Sequence, residues 1–211
     1  AHSNLGGILK NLGNLEEAEI SARKAILLQP KLASAHSNLG GILKDQGKLK
    51  EAEISTKKAI ELKPNFVIAY YNLGTILYSL KKYNRAAEIY EKGLRLDPGN
   101  DQIKLGLLRV LSDICDWKSL ENKLHWLNEL GINEKVAIDP MPLMYLEDDP
   151  LKDFIRAKNL YKQKYFRKHS SIKLHPKSKI RLGYFSNNFH SHSVMISFSR
   201  IIELHNKDEF E

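Results

Sequence analysis

The 211-residue sequence holds one cysteine, Cys115. No internal disulfide can form, which excludes a disulfide-stapled secreted scaffold. A reducing, cytoplasmic setting fits that usage. No apolar run approaches the ~20 residues that a membrane-spanning helix requires, and no signal or transit peptide is evident. There is no P-loop, no Gly-x-Gly-x-x-Gly and no cysteine cluster suited to zinc, so neither a metal nor a resident cofactor is expected. Seven prolines and twelve glycines are too few for collagen or a low-complexity tract. Acid is the scarcer charge, 25 side chains against 33 lysines and arginines, giving +8. That excess makes acidic partners conceivable without naming one.

The chain does contain a repeat. AHSNLGGILKNLGNLEEAEISARKAILLQP begins at Ala1, AHSNLGGILKDQGKLKEAEISTKKAIELKP at Ala35 and AYYNLGTILYSLKKYNRAAEIYEKGLRLDP at Ala69, an offset of 34 residues each time. Leu5, Leu39 and Leu73 coincide, as do Gly6, Gly40 and Gly74, then Ala18, Ala52 and Ala86, then Pro30, Pro64 and Pro98. A 34-residue period with Leu-Gly, a later small residue and a closing Pro is the tetratricopeptide signature. Gly6 lets a second helix approach the first, and Ala18, Ala22 and Ala25 form the small stripe that meets it. Pro30 lacks an N–H and restricts Gln29 to extended conformations, which stops the helix. Stacking buries the face that each hairpin leaves uncovered.

A degraded fourth copy continues the register through Leu107, Leu111, Trp117 and Leu120. Larger apolar residues in a terminal repeat suit a cap that seals the solenoid. A ligand pocket lined by Trp117 and Trp126 is the alternative, although aromatics at helical spacing usually form core. The expected architecture is mostly α: a superhelix over 1–131, made of repeats 1–32, 33–66 and 67–100 and a capping repeat 101–131. The first repeat lacks the opening of its own first helix, so the chain is expected to be a fragment.

First helices of such repeats line the inner surface. Asn4, Asn38 and Asn72 recur there, one per repeat. Asparagine competes for backbone hydrogen bonds and is a poor interior helix residue. A row of carboxamides, each with two donors and an acceptor, can pair with the backbone of an extended peptide whatever its side chains. The bland reading is tolerance of Asn at a polar surface. Lys10 and Lys44 recur nearby and could capture acidic groups or simply be solvated.

Residues 132–178 read as a linker. Pro140, Pro142 and Pro150 interrupt any long helix. Asp149 before Pro150 suits an N-cap with Pro at the first helical position. The stretch that follows has helical apolar spacing at Phe154, Ile155, Ala157, Leu160, Tyr161 and Tyr165. Eleven Lys or Arg and one acid lie between Leu151 and Arg181. No nucleic-acid motif accompanies this charge. The plainer expectation is a basic amphipathic helix with solvated charges and its apolar side on the solenoid cap. Residues 179–211 change period: Ile180 to Phe185 resemble a buried strand, a loop follows, and Val194 to Leu204 read as a helix. This is the opening of a doubly wound α/β unit. His190 and His192 lie in the loop, close to a helix N-terminus that favours neutral imidazole. Taken alone, a loop histidine is more often incidental than catalytic. A zinc site with His169, His175 or His205 has little support.

The order of elements carries a resemblance. Repeats with NLG and a recurrent Asn lead to CDW (Cys115, Asp116, Trp117), a Pro-containing linker and then IRLGYFSNNFHSHS. This resembles the protein O-linked N-acetylglucosamine transferase family, the SPINDLY-like glycosyltransferases, with a compact linker similar to that of bacterial members. The resemblance implies that residues 179–211 start a Rossmann-like catalytic lobe, with His192 at the active site and Asn188 and His190 in the same loop. Asn188 stands where the family has an acid, and Ser193 where it has Pro or Ala. The implied reaction moves N-acetylglucosamine from a nucleotide sugar (UDP-GlcNAc-like) to Ser or Thr of polypeptides held by Asn4, Asn38 and Asn72. No metal is implied. Most of the donor pocket would lie in a second lobe, so these residues alone are expected to be inactive. The rival reading is a non-enzymatic repeat scaffold that recruits partner proteins.

Overall fold

A computed structural model describes residues 2–133 and 136–164. The expected strand-loop-helix of 179–211, with Asn188, His190 and His192, and the basic stretch past residue 164 lie outside the described residues. Within them the fold is helical, without strands: α1 (His2–Asn11), α2 (Leu15–Leu28), α3 (Ala33–Asp45), α4 (Leu49–Leu62), α5 (Val67–Ser79), α6 (Tyr83–Leu96), α7 (Asp101–Asp113), the short α8 (Trp117–Glu121), a 3-10 turn (Leu124–Asn128) and α9 (Pro150–Lys164).

The helices pair as hairpins, and the punctuation between them repeats. α2, α4 and α6 end on Gln29, Lys63 and Asp97, with φ of −139°, −144° and −143°. Each precedes a proline, whose ring bars the helical conformation to its neighbour. The proline carbonyls have a use of their own. His36 Nε2 lies 2.9 Å from the Pro30 carbonyl oxygen, and Tyr70 Oη donates to that of Pro64 at 2.8 Å. Within each hairpin, one turn position is left-handed: Gly13, Gly47, Lys81 and Cys115, with φ of 84°, 78°, 58° and 56°. Glycine takes this conformation freely and an L side chain does not.

The first helices α1, α3, α5 and α7 pack on one another in succession, and α2, α4 and α6 each wedge between two of them. Small residues make this close approach workable. A Cβ at Gly40 would sit 3.2 Å from the Ala52 carbonyl, and one at Gly74 would sit 2.3 Å from the Tyr90 ring. Ala18, Ala52 and Ala86 are fully buried opposite them. Ion pairs join neighbouring repeats at the same period: Glu19 with Lys48 at 2.9 Å and Glu53 with Lys82 at 2.7 Å.

The fourth repeat, expected as a degenerate cap, has a shortened second helix. Asp116 Oδ1 accepts the Ser119 N–H at 3.1 Å to start α8, yet the helix stops after five residues. Leu127 occupies the position of Ala59 and Gly93, where Gly93 lies against Tyr70 and Ile103. A leucine there forces the segment to stand off, and the 3-10 turn delivers Leu127 into the core instead. Trp117 is 59% exposed and lies outside the core, whereas Trp126 packs against it.

α9 corrects a second expectation. Its buried contacts are polar: Arg156 is fully buried, while Leu151 and Phe154 are exposed. Arg156 donates through Nε to the Leu130 carbonyl at 2.9 Å and through Nη2 to that of Leu127 at 2.7 Å, and it pairs with Glu147 and Asp153. Asn159 Nδ2 donates to the carbonyls of Gly131 and Ile132. The irregular end of the fourth repeat leaves carbonyls with no helical N–H to meet them, and α9 supplies the donors. Apolar spacing therefore did not identify its buried face.

Candidate functional site

The three repeat asparagines lie on the row of first helices. Asn38, on α3, reaches back to α1: its Nδ2 lies 2.9 Å from the Ser3 carbonyl oxygen and 3.1 Å from Ser3 Oγ. Asn72, on α5, does the same to α3, 3.0 Å from Ser37 Oγ and 3.4 Å from the Ser37 carbonyl oxygen. Asn4 is exposed on α1. The carboxamides thus form a ladder whose rungs are also stitches between repeats. The donors of Asn38 and Asn72 are taken by serine. The Oδ1 oxygen, an acceptor only, is left for an outside N–H, which narrows the expected two-donor, one-acceptor pairing.

Two features of this ladder escaped the sequence reading. Ser3 and Ser37 stand one residue before their asparagines at the 34-residue period, which was the available signal. Gly7 and Gly41 form the floor: a Cβ at Gly41 would lie 3.9 Å from Asn72 Nδ2 and 3.3 Å from Lys10 Nζ. The ladder ends after Asn72. The next equivalent residue is Gly106, where a Cβ would strike the Tyr90 ring at 2.6 Å. Tyr71 replaces the serine there.

Lys10 and Lys44 converge on one carboxylate, with Nζ to Asp45 distances of 3.3 and 3.1 Å, so neither is merely solvated. Beyond the last asparagine a cavity of about 420 Å³ opens between α5 and α7, walled by Tyr71, Thr75, Tyr78, Tyr90, Arg109 and Pro142. Burial raises the Tyr78 hydroxyl pKa, and its hydrogen bond to Asp113 raises it further. Burial raises that of Tyr90 as well. Both stay protonated donors at neutral pH. On the second-helix side, hydrogen bonds from Lys48 and Arg23 lower the Glu19 carboxyl to about 2. Among the described residues no group of three His, Cys, Asp or Glu is placed to hold a metal ion, and no helix is long and apolar enough to cross a membrane.

Tetratricopeptide repeat models match residues 1–32, 33–66 and 67–100, and the chain carries three such repeats. Solved structures share the fold. The first tetratricopeptide domain of human RPAP3 is 23% identical with a TM-score of 0.53, over 57% of this chain and 93% of that one. The Sgt2 domain from Aspergillus fumigatus is 21% identical with a TM-score of 0.53, over 56% and 80%. The first such domain of Spaghetti (RPAP3), solved bound to the HSP90 peptide SRMEEVD, is 22% identical with a TM-score of 0.52, over 54% and 93%. No curated protein sequence matches the chain significantly.

Proposed function

We propose that residues 1–131 form a polypeptide-binding module that holds an extended segment along the first helices. The observation that carries this reading is the ladder Asn38–Ser3 and Asn72–Ser37. Each serine fixes a carboxamide so that its oxygen is presented in register, repeat after repeat. Backbone N–H groups are the donors common to every peptide, so the contact is tolerant of sequence. The fold it stands on is one in which another protein, Spaghetti, holds a peptide. The test is fluorescence anisotropy with labelled extended decapeptides of mixed sequence. The double variant Asn38→Ala/Asn72→Ala should lose about tenfold in affinity, roughly two neutral hydrogen bonds. Unchanged affinity would count against the ladder.

A second reading adds chemistry to the same binding. The segment IRLGYFSNNFHSHS supports a parent enzyme that transfers N-acetylglucosamine from a nucleotide sugar to Ser or Thr of the held polypeptide, with His192 at the reaction centre and Asn188 and His190 in its loop. Developing charge on the departing diphosphate would need donors beyond these residues. Transfer of labelled sugar to protein by the full-length parent, compared with His192→Ala, decides it. Equal transfer by both forms removes His192.

A further inference from the structure

We infer that the trough between α2 and α4 is a docking site for one amphipathic helix of a partner protein, a helix with an aliphatic stripe and little net charge. The trough is separate from the asparagine ladder. Its floor is formed by Leu39 and Leu43, both buried, on the side of α3 opposite Ser37, Asn38 and Gly41. Ile26 and Leu27 of α2 and Ile54 of α4 complete the apolar lining of a cavity of about 600 Å³.

The same position one repeat later carries different residues. Counting on 34 residues, Leu27, Ile54 and Ser55 become Glu61, Glu88 and Ile89. Ile89 packs against the core, and both glutamates are exposed. In the first trough the inner position is the small Ser55, and the lips are aliphatic: Leu27 is 80% and Ile54 70% exposed. One trough is thus filled by its own isoleucine and edged with charge. The other is left open and edged with apolar surface, which a partner's apolar face would remove from water.

The polar groups around the cavity select a helix as its occupant. Ser55 Oγ donates to the His36 carbonyl at 2.9 Å, and His36 Nε2 lies 2.9 Å from the Pro30 carbonyl oxygen. Arg23 pairs with Glu19 and Glu51 at 2.8 and 3.4 Å, and Lys58 pairs with Glu61 at 3.0 Å. Each polar side chain of the lining therefore has a partner within the chain. An extended peptide laid here would bury backbone N–H and C=O groups with nothing to meet them. A helix satisfies its own and presents only side chains. A small apolar molecule binds where most of its surface is enclosed, whereas this cavity is open between exposed lips. A helix brings a polar outer face to cover that opening. The rim also sets the charge. Arg23 with Glu51 and Lys58 with Glu61 cancel in pairs, so the matching helix has both signs on its flanks and aliphatic residues at i, i+3 or i+4, and i+7.

The probe is a fluorescein-labelled, amidated peptide of about 16 residues, long enough to be helical alone. It is built from Ala, Lys and Glu with no net charge, and its leucines form one stripe. Two comparison peptides have the same leucines scattered around the helix, or a central Pro that breaks it. Anisotropy should show about tenfold or more tighter binding of the striped helix than of either. That affinity should change less than about twofold between about 0.05 and 0.5 M salt. Leu27→Glu/Ile54→Glu copies the lips of the next trough onto exposed positions and should abolish the preference. Leu12→Glu, the same kind of change at an exposed site beyond α1, should keep it. Equal binding of striped and scattered peptides, or no binding of either, overturns the docking site and leaves the ladder standing. A preference that survives the lip variant, or that Leu12→Glu removes equally, also overturns it. Displacement of the striped helix by the extended decapeptides would put it on the asparagines instead. A wild-type dimer that the lip variant dissolves, seen by sedimentation, would give the trough to a second copy and overturn the partner helix.

Discussion

Asn72 Nδ2 lies 3.0 Å from Ser37 Oγ, and this one bond ties a groove residue of one repeat to the buried serine of the repeat before it. On the proposed reading the same side chain serves repeat stacking through its nitrogen and a bound backbone through its oxygen. The two roles separate by mutation. Ser37→Ala should lower stability by about 1 kcal/mol while leaving Oδ1 available, so peptide affinity falls by less than about threefold. Asn72→Ala should lose both. Chemical denaturation and anisotropy on the same samples measure the pair.

Lys81 holds a left-handed conformation that glycine holds in the two preceding repeats. Lys81→Gly should raise stability by roughly 0.5–1 kcal/mol, because an L side chain is strained there by more than glycine loses in chain entropy. Urea denaturation followed by circular dichroism is the measurement. A destabilised variant would mean that the lysine side chain has an undetected role.

Glu19 and Glu53 tie successive repeats together, and both have carboxyl pKa values below the ordinary 4.5, Glu19 at about 2. For Glu53, burial pushes the value up and hydrogen bonds from Lys57 and Lys82 more than offset it. A carboxyl depressed on folding stabilises above its unfolded value, and that contribution is lost as pH falls through the folded value. The melting temperature should therefore fall between about pH 5 and pH 2. In Glu19→Gln/Glu53→Gln the fall should be smaller. Their lysine partners are 40–46% exposed, so each pair contributes about 1 kcal/mol or less.

Arg156→Met should reduce stability by about 3 kcal/mol or more, because Glu147 and the carbonyls of Leu127 and Leu130 lose their donors in a buried place. Arg156→Lys should rescue little, since one ammonium cannot span two carbonyls and two carboxylates. Limited proteolysis should then cut within 139–149 faster than in the wild type.

Gly74→Ala should destabilise by about 1–3 kcal/mol, the usual range for overpacking. Its new methyl would meet the Tyr90 ring at 2.3 Å. Adding Tyr90→Leu should recover part of the loss, and non-additivity in a double-mutant cycle would place the effect at that contact.

The repeat architecture was legible because identical spacing forces identical local geometry. Pro30 and Pro64 ended helices, Gly40 and Gly74 marked close approaches, and Ala18 and Ala52 marked the buried stripe. The asparagines could be placed on the first helices for the same reason. Their donors' partners could not, because Ser3 and Ser37 belong to the preceding repeat and lie 35 residues away. In the fourth repeat the period survives in the sequence but not in the helix, since one bulky residue, Leu127, replaces a small one.

α9 shows the limit most plainly. Its apolar periodicity pointed to one face and its burial chose another, because carbonyls left by an irregular turn needed Arg156 and Asn159. Periodicity alone, through the sterics of Gly and Pro and the size of Ala, determined that this chain folds as stacked helical hairpins. Tertiary structure alone decided which polar side chains became stitches and which oxygens stayed open. Those outcomes depend on which hydrogen-bonding groups distant segments leave unsatisfied, and spacing within a segment carries no record of that.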